Sequence, residues 1–429
     1  MAVLNLLDDL RARTSPVRCA VIGCGKFTTM FLHQARRLDG LLVSAVADLS
    51  PERAATALEA AGYATGEVKI AASAHDLLGD PDIEVVVEAT GDPLAGIEHA
   101  LAAIDGGQHV VMVTVEADAL AGPALAARAR ARGVVYSMAY GDQPALICEL
   151  VDWARTCGFD VVSAGKGTKY LPEYHFSTPE TVWGHYGFAP GYAESARLNP
   201  RMFNSFLDGT KSAIEMVAVA NGTGLSAPPS GLLFPPCGAD DLASVCVPAA
   251  DGGALAGKGV VEVVSSLRRD GAQVDRDLRW GVYVTLEAPS EYVRDCFAQY
   301  GLKAGHSGQY AAMYRPYHLI GLELAVSVVS AAVRRAPTGT ARSFAADVVT
   351  TAKRDLEPGD RLDGEGGYTA YGTAVPASAS IERGLLPIGL AKGARLTSKV
   401  HKGSQVGLAE VTFDERSSAL TLREGMLAG

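Results

Sequence analysis

From residue 17 the chain alternates short apolar runs with longer stretches whose apolar residues recur at helical spacing. The runs around 17–22, 41–47, 83–90, 109–117 and 134–141 are dominated by Val, Ala and Ile and read as strands. The segments between and after them, around 26–37, 51–62, 93–105, 121–133 and 143–157, read as helices, with Pro51 at a first helical position. Strands alternating with helices predict βαβ units, so residues 1–158 are expected to form an α/β, Rossmann-type domain around a mostly parallel sheet. From about 159 the pattern changes. Irregular stretches (170–200, 225–256), two helices (201–221, 318–334) and strand-like pieces (259–267, 280–287) predict an α+β catalytic and dimerisation domain over 159–341. The remainder, 342–429, shows short strands separated by Gly/Asp turns and reads as a small C-terminal β module. Residues 1–16 mix Leu with Asp and Arg, which predicts a short amphipathic helix and not a signal peptide.

Composition narrows the partners. In 429 residues the net charge is −10, which argues against nucleic acid as the main partner but leaves room for a small anionic ligand. No apolar run reaches the roughly 18–20 residues of a membrane span. Seven cysteines, an odd number with no C-x-x-C spacing, predict reduced thiols and a cytoplasmic protein. The apolar helix 318–334 and the irregular middle segment point to a homodimer.

The first strand ends in IGCGKF. Gly23 permits a tight turn, Gly25 lets backbone amides approach a pyrophosphate, and Lys26 and Phe27 open the helix. Thr28 stands where a third glycine is usual. Asp48 ends the second strand, where a carboxylate accepts hydrogen bonds from an adenosine ribose. Arg53, five residues on, offsets its preference for NADH over NADPH, so either cofactor fits. Thr90 and Gly91, in the loop after the strand at 83–90, complete the expected cofactor set.

Ligands bind beyond the carboxyl ends of the strands in such sheets. The loops there hold Glu88, Glu116, Asp142, Lys166 and Lys169. The two lysines, in GKGTKY straight after an apolar stretch, are expected to face an anionic substrate. Asp208, Lys211 and Glu215 are spaced to share one face of the 201–221 helix. That spacing fits a surface ion pair between Lys211 and Glu215 as well as a catalytic stripe. Arg315 and His318, just before the second apolar helix, are further substrate-binding candidates. His175 and His185 match no metal spacing.

The segments IGCGKF, EATGDP, VMVTVEAD, YGDQPALICELVDWARTCGF, AGKGTKYLP, FNSFLDGTKSAIE and YRPYHLIGLEL resemble the homoserine dehydrogenase-like superfamily. They are most similar to its 1-deoxy-D-xylulose 5-phosphate reductoisomerase-like branch, with a SAF-type module at the C-terminus. Homoserine dehydrogenases carry an Asn-Lys pair where this chain has Val115 and Glu116. Matching the helix puts Lys211 and Glu215 at that family's Asp and catalytic Lys positions. The resemblance therefore implies catalytic roles for Lys211, Glu215, Asp208, Glu116, Lys166 and Lys169. It also implies a divalent cation (Mg²⁺ or Mn²⁺) held by Glu116, Asp142 and Glu215, and a phosphorylated substrate gripped by Lys166, Lys169, Arg315 and His318. The implied reaction is an NAD(P)H-dependent ketol rearrangement followed by reduction, in isoprenoid precursor supply. The alternative is a dehydrogenase of another polyol, sugar acid or amino-acid-like substrate that leaves the skeleton intact.

Overall fold

The computed structural model describes residues 5–428 except positions 190, 197 and 306. After a short helix, Leu6–Arg11, the first unit runs β1 (Val17–Ile22), α1 (Lys26–Ala35), β2 (Leu41–Ala47), α2 (Pro51–Ala60), β3 (Lys69–Ala71), β4 (Val85–Glu88), α3 (Pro93–Asp105), β5 (His109–Met112), α4 (Val115–Arg132), β6 (Tyr136–Met138) and α5 (Gln143–Thr156). The six strands lie in the order β3-β2-β1-β4-β5-β6, all parallel. The order reverses direction beside β1, so the crevice between the loops after β1 and β4 is the natural ligand site. The Val- and Ala-rich strands are buried almost throughout because helices cover both faces of the sheet.

Helix starts follow local chemistry. Ser50 caps α2 by accepting the Arg53 amide, with Pro51 in the first turn as expected. Asp92 caps α3 by accepting the amides of Leu94 and Ala95 at 3.0 and 3.1 Å. One expected strand is cut short. Strand β5 ends at Met112 and α4 begins at Val115, so Glu116 lies in the first turn of a helix and not on a strand end. Glu116 in that first turn favours this outcome, because its charge complements the helix dipole.

The second unit is a mixed sheet of β7 (Asp160–Thr168), β8 (Val260–Ser265), β9 (Val282–Glu287) and β10 (Tyr310–Arg315), in the order β10-β9-β7-β8. Helices α6 (Pro200–Leu207) and α7 (Thr210–Thr223) replace the single helix expected at 201–221. The break is at Gly209, whose φ of 87° is a left-handed conformation that side-chain-bearing residues avoid. Asp208 is thereby separated from the stripe it was expected to share with Lys211 and Glu215. Helix α7 is buried on nearly every side from Ser212 onward, which explains its lack of a polar face. The expected helix at 318–334 is helical only from Ala325 to Arg334, ending in a π turn.

Residues beyond 341 build β11 (Ala346–Ala352) and β12 (Ala370–Pro376), paired antiparallel, then β13 (Arg395–Leu396) and β14 (Val411–Thr412), and a final helix α8 (Ser418–Ala428). All seven cysteines are free. Among the described residues no helix is long and apolar enough to cross a membrane.

Candidate active site

The glycine turn is built for close approach. Gly23 has φ 90°, and a Cβ there would stand 2.7 Å from the Ala89 carbonyl oxygen. Thr28 does not disturb the turn; its buried hydroxyl donates to the Gly23 carbonyl at 2.6 Å. Gly25 and Gly91 face open space, with nothing within 4 Å of where a Cβ would sit. Lys26, exposed, starts α1 beside Phe27. The Gly91 amide donates to the Thr114 hydroxyl at 3.0 Å, and the Thr90 hydroxyl donates to Glu88 at 2.5 Å. Open glycine backbone at a helix N-terminus on the switch point of the sheet fits the pyrophosphate of a nicotinamide dinucleotide.

Asp48 directly follows β2, as expected, and its carboxylate is engaged by the protein itself. It accepts the amides of Cys24 at 2.7 Å and Ser50 at 2.8 Å, and Arg53 grips both its oxygens at 2.6 and 3.2 Å. Burial works against its ionisation, but the hydrogen bonds from Ser50, Arg53 and Cys24 outweigh it and hold the carboxyl below the usual range. Only 4% of Asp48 is exposed, while Arg53's side chain is 60% exposed.

Beyond the ends of β5 and β6 lies a compact charged centre. Lys166 forms an ion pair with Glu215, and Lys211 with Glu116. Lys166 is not in a loop. It lies within β7, paired with Val263 and Val282, and its flanking glycines let neighbouring strands press in. A Cβ at Gly165 would stand 1.7 Å from the Glu262 carbonyl oxygen, and one at Gly167 would stand 2.0 Å from that of Leu278. Lys211 and Glu215, one turn apart on α7, thus reach separate partners and not each other. The Gln143 amide nitrogen, oriented as the hydrogen-bond network requires, donates to the two Glu215 oxygens at 3.0 and 3.2 Å. Asp142 caps α5 through the Gln143 amide at 2.8 Å. Burial and the Glu215 charge push its carboxyl up to about 6, against the opposing pull of Lys211 and His318. Burial alone would lower the Lys211 pKa, but Glu116, Glu215, Glu365 and Asp142 raise it, so the ammonium stays protonated.

Glu365 was not foreseen. It comes from the loop between β11 and β12, and burial together with Glu116 pushes it up to about 8. Nothing in the local sequence marks it, because the loop's Gly/Asp composition reads only as a turn.

Four expected site residues have partners outside the two ion pairs, although the charge of His318 still acts on Asp142. Asp208 binds Lys353 at 2.7 Å, both fully buried. Lys169 donates to the His185 carbonyl at 2.6 Å and lies over the Tyr186 ring. Arg315 pairs with Glu323. His318 is turned to the Trp280 carbonyl at 2.8 Å. The carboxylates expected to share a cation are likewise not gathered as a metal site among the described residues. Glu116 and Glu215 are each neutralised by a lysine, and no group of three or more His, Cys, Asp or Glu is placed to hold a metal ion among the described residues.

Residues 17–140 match the family model described as "Oxidoreductase family, NAD-binding Rossmann fold", and residues 141–324 match "Oxidoreductase DRL, catalytic domain". These matches overturn the resemblance to the homoserine dehydrogenase-like superfamily and its reductoisomerase-like branch, and 342–429 lies outside both, with no support for a SAF-type assignment. No curated protein matches the chain. Among solved structures, myo-inositol dehydrogenase from Lactobacillus casei is 20% identical over 40% of this chain and 52% of that one, with a TM-score of 0.30. A 3-ketoreductase from Actinomadura kijaniata is 20% identical over 37% of this chain and 50% of that one, with a TM-score of 0.27. An oxidoreductase from Agrobacterium radiobacter is 16% identical over 36% and 45%, with a TM-score of 0.30. The chain thus spans about half the length of the solved structures it matches. The two adjoining matches liken residues 17–140, on the six-stranded parallel sheet, to the NAD-binding Rossmann domain of oxidoreductases, and residues 141–324 to an oxidoreductase catalytic domain.

Proposed function

We propose that the chain oxidises a small, neutral polyol, or reduces the corresponding ketone, without rearranging the carbon skeleton. The observation that carries this reading is that each lysine of the charged centre is already matched by a carboxylate: Lys166 by Glu215 and Lys211 by Glu116. A phosphoryl group brings nearly two negative charges, about −1.5 to −2 near neutral pH, and calls for uncommitted cations. Lys169 and Arg315, the other cations expected to supply them, are committed to His185 and Glu323. Hydroxyl groups both donate and accept, so they insert among paired charges at little electrostatic cost.

When bound, the nicotinamide ring supplies or takes up the hydride. Asp142, titrating at about 6, is the group whose proton affinity suits giving and taking the substrate hydroxyl proton near neutral pH. Lys211, held protonated, donates a hydrogen bond to the substrate oxygen as charge develops there. Lys166 and Glu215 orient the neighbouring hydroxyl.

The cofactor reading is NADP(H). Asp48 has its acceptor capacity taken up by Cys24, Ser50 and Arg53, so it offers little to a ribose diol. Arg53 keeps an exposed guanidinium edge suited to a 2′-phosphate. The test is turnover of purified protein with cyclic and acyclic polyols, their ketones, and phosphorylated ketoses, each with both dinucleotides. Turnover confined to the phosphorylated compounds would sink this reading.

A further inference from the structure

Residues 342–429 have no counterpart in either family match, yet they are tied to α6 and α7 by a dense set of buried polar contacts. Lys353, 4% exposed, leaves β11 and reaches three acceptors: the Asp208 carboxylate at 2.7 Å and the carbonyls of Ser177 and Gly367, both at 2.8 Å. Asp208 in turn accepts the Thr210 amide at 2.9 Å, in the first turn of α7. The Thr210 hydroxyl accepts the Gly372 amide at 2.9 Å. Asn204 of α6 donates to the carbonyls of Ser177 and Gly366 at 3.1 and 3.0 Å. Gly366 sits so close to α6 that a Cβ there would stand 2.0 Å from the Arg201 carbonyl oxygen. Lys211 follows Thr210 directly, and Glu365 precedes Gly366.

We propose that the C-terminal module is a working part of the active site: the Lys353–Asp208 clamp fixes the first turn of α7 and the 363–369 loop together, and so positions Lys211 against Glu116 and brings Glu365 to the same centre. A lysine buried in this way is costly unless fully paired, and it is fully paired here to groups that belong to three separate segments. Lys353 and Asp208 are therefore positioning residues that act through Lys211. The proposal rests on the reading of Lys211 as a substrate-facing group, but its geometry is testable without a substrate.

The experiment uses the full chain and measures how fast acetic anhydride labels Lys211, by peptide mass spectrometry, beside exposed lysines such as Lys392 as internal controls. Replacing only one partner would strand a buried charge, so the test variant is the neutral pair Asp208→Asn with Lys353→Met. In the folded double variant, Lys211 labelling is expected to rise about tenfold as the first turn of α7 opens locally, with NADP⁺ affinity by calorimetry within about twofold of the parent. Lys353→Arg, which keeps the charge, is expected to stay near the parent rate. Should the double variant not fold, Gly366→Ala decides the matter. It leaves both charges in place and pushes the loop off α6, and it is expected to raise Lys211 labelling as well. A folded double variant, or a folded Gly366→Ala variant, that labels Lys211 at the parent rate overturns the proposal. Because labelling needs no turnover, a failure of the polyol reading would show separately, in the substrate panel.

Discussion

Asp118 sits in the first turn of α4 with 1% of its surface exposed, and neither carboxyl oxygen has a well-formed hydrogen bond. It lines a small cavity together with Met112, Met138 and Asp142. Burial pushes its carboxyl from 3.8 up to about 7, although the Tyr136 hydroxyl beside it pulls the other way. A carboxyl raised in this way stabilises the fold only while it is protonated. The contribution is fully present below the unfolded value, is lost steadily as pH rises, and is gone once pH passes about 7. A shift of about three units at 1.36 kcal/mol each amounts to about 4 kcal/mol in all, of which about 2–3 kcal/mol falls between about pH 5 and pH 8. Asp118→Asn removes the titration while keeping the shape. Burying an amide there adds an offset of about 1–3 kcal/mol, but that offset does not vary with pH. The assay is urea unfolding of parent and variant across this range, read as the difference between them. Taking the difference cancels the other raised carboxyls, Asp142, Glu262 and Glu365. The variant should gain on the parent as pH rises, then level off. A difference that stays constant with pH would show that Asp118 is ionised in the fold at ordinary values, and would refute the reasoning.

Glu215→Gln leaves the Lys166 ammonium buried without its partner and should cost about 3–5 kcal/mol, seen as a lower urea midpoint, while NADP⁺ affinity by calorimetry is retained; equal loss of both would place Glu215 outside the charged centre. Arg53→Ala should weaken NADP⁺ binding about 10- to 100-fold and leave NAD⁺ nearly unchanged; parallel losses for both dinucleotides would remove Arg53 from cofactor choice. Asp142→Asn should abolish the fall in polyol oxidation below about pH 6, where the parent's carboxylate gains its proton; a surviving acid limb assigns that titration elsewhere. Lys169→Ala should speed proteolytic nicking near residues 182–188, whose carbonyl it holds, without raising the KM for substrate; a raised KM would return Lys169 to the substrate site.

The Rossmann unit was legible because its signals are local. Apolar runs, glycine turns and capping residues act over a few positions, so the alternation of strands and helices and the placing of Gly23, Gly25 and Gly91 followed from period and punctuation. Lys211, Glu215, Glu116, Lys166 and Asp142 were singled out in the sequence because each lies near an element end or on a helix face, and the fold brings them together. Their pairing was not. Spacing on α7 put Lys211 opposite Glu215, whereas packing of α7 against α4 and β7 gave each residue a different partner from a distant segment. The same packing pairs two of the three carboxylates expected to hold a cation, Glu116 and Glu215, with lysines. A single glycine, Gly209, took Asp208 out of the stripe, and a lysine 145 residues away claimed it. The chain by itself determined which charges the molecule owns and which elements carry them. The tertiary structure alone decided which charges meet, since burial makes every unpaired one expensive and only the fold sets who is near enough to pair.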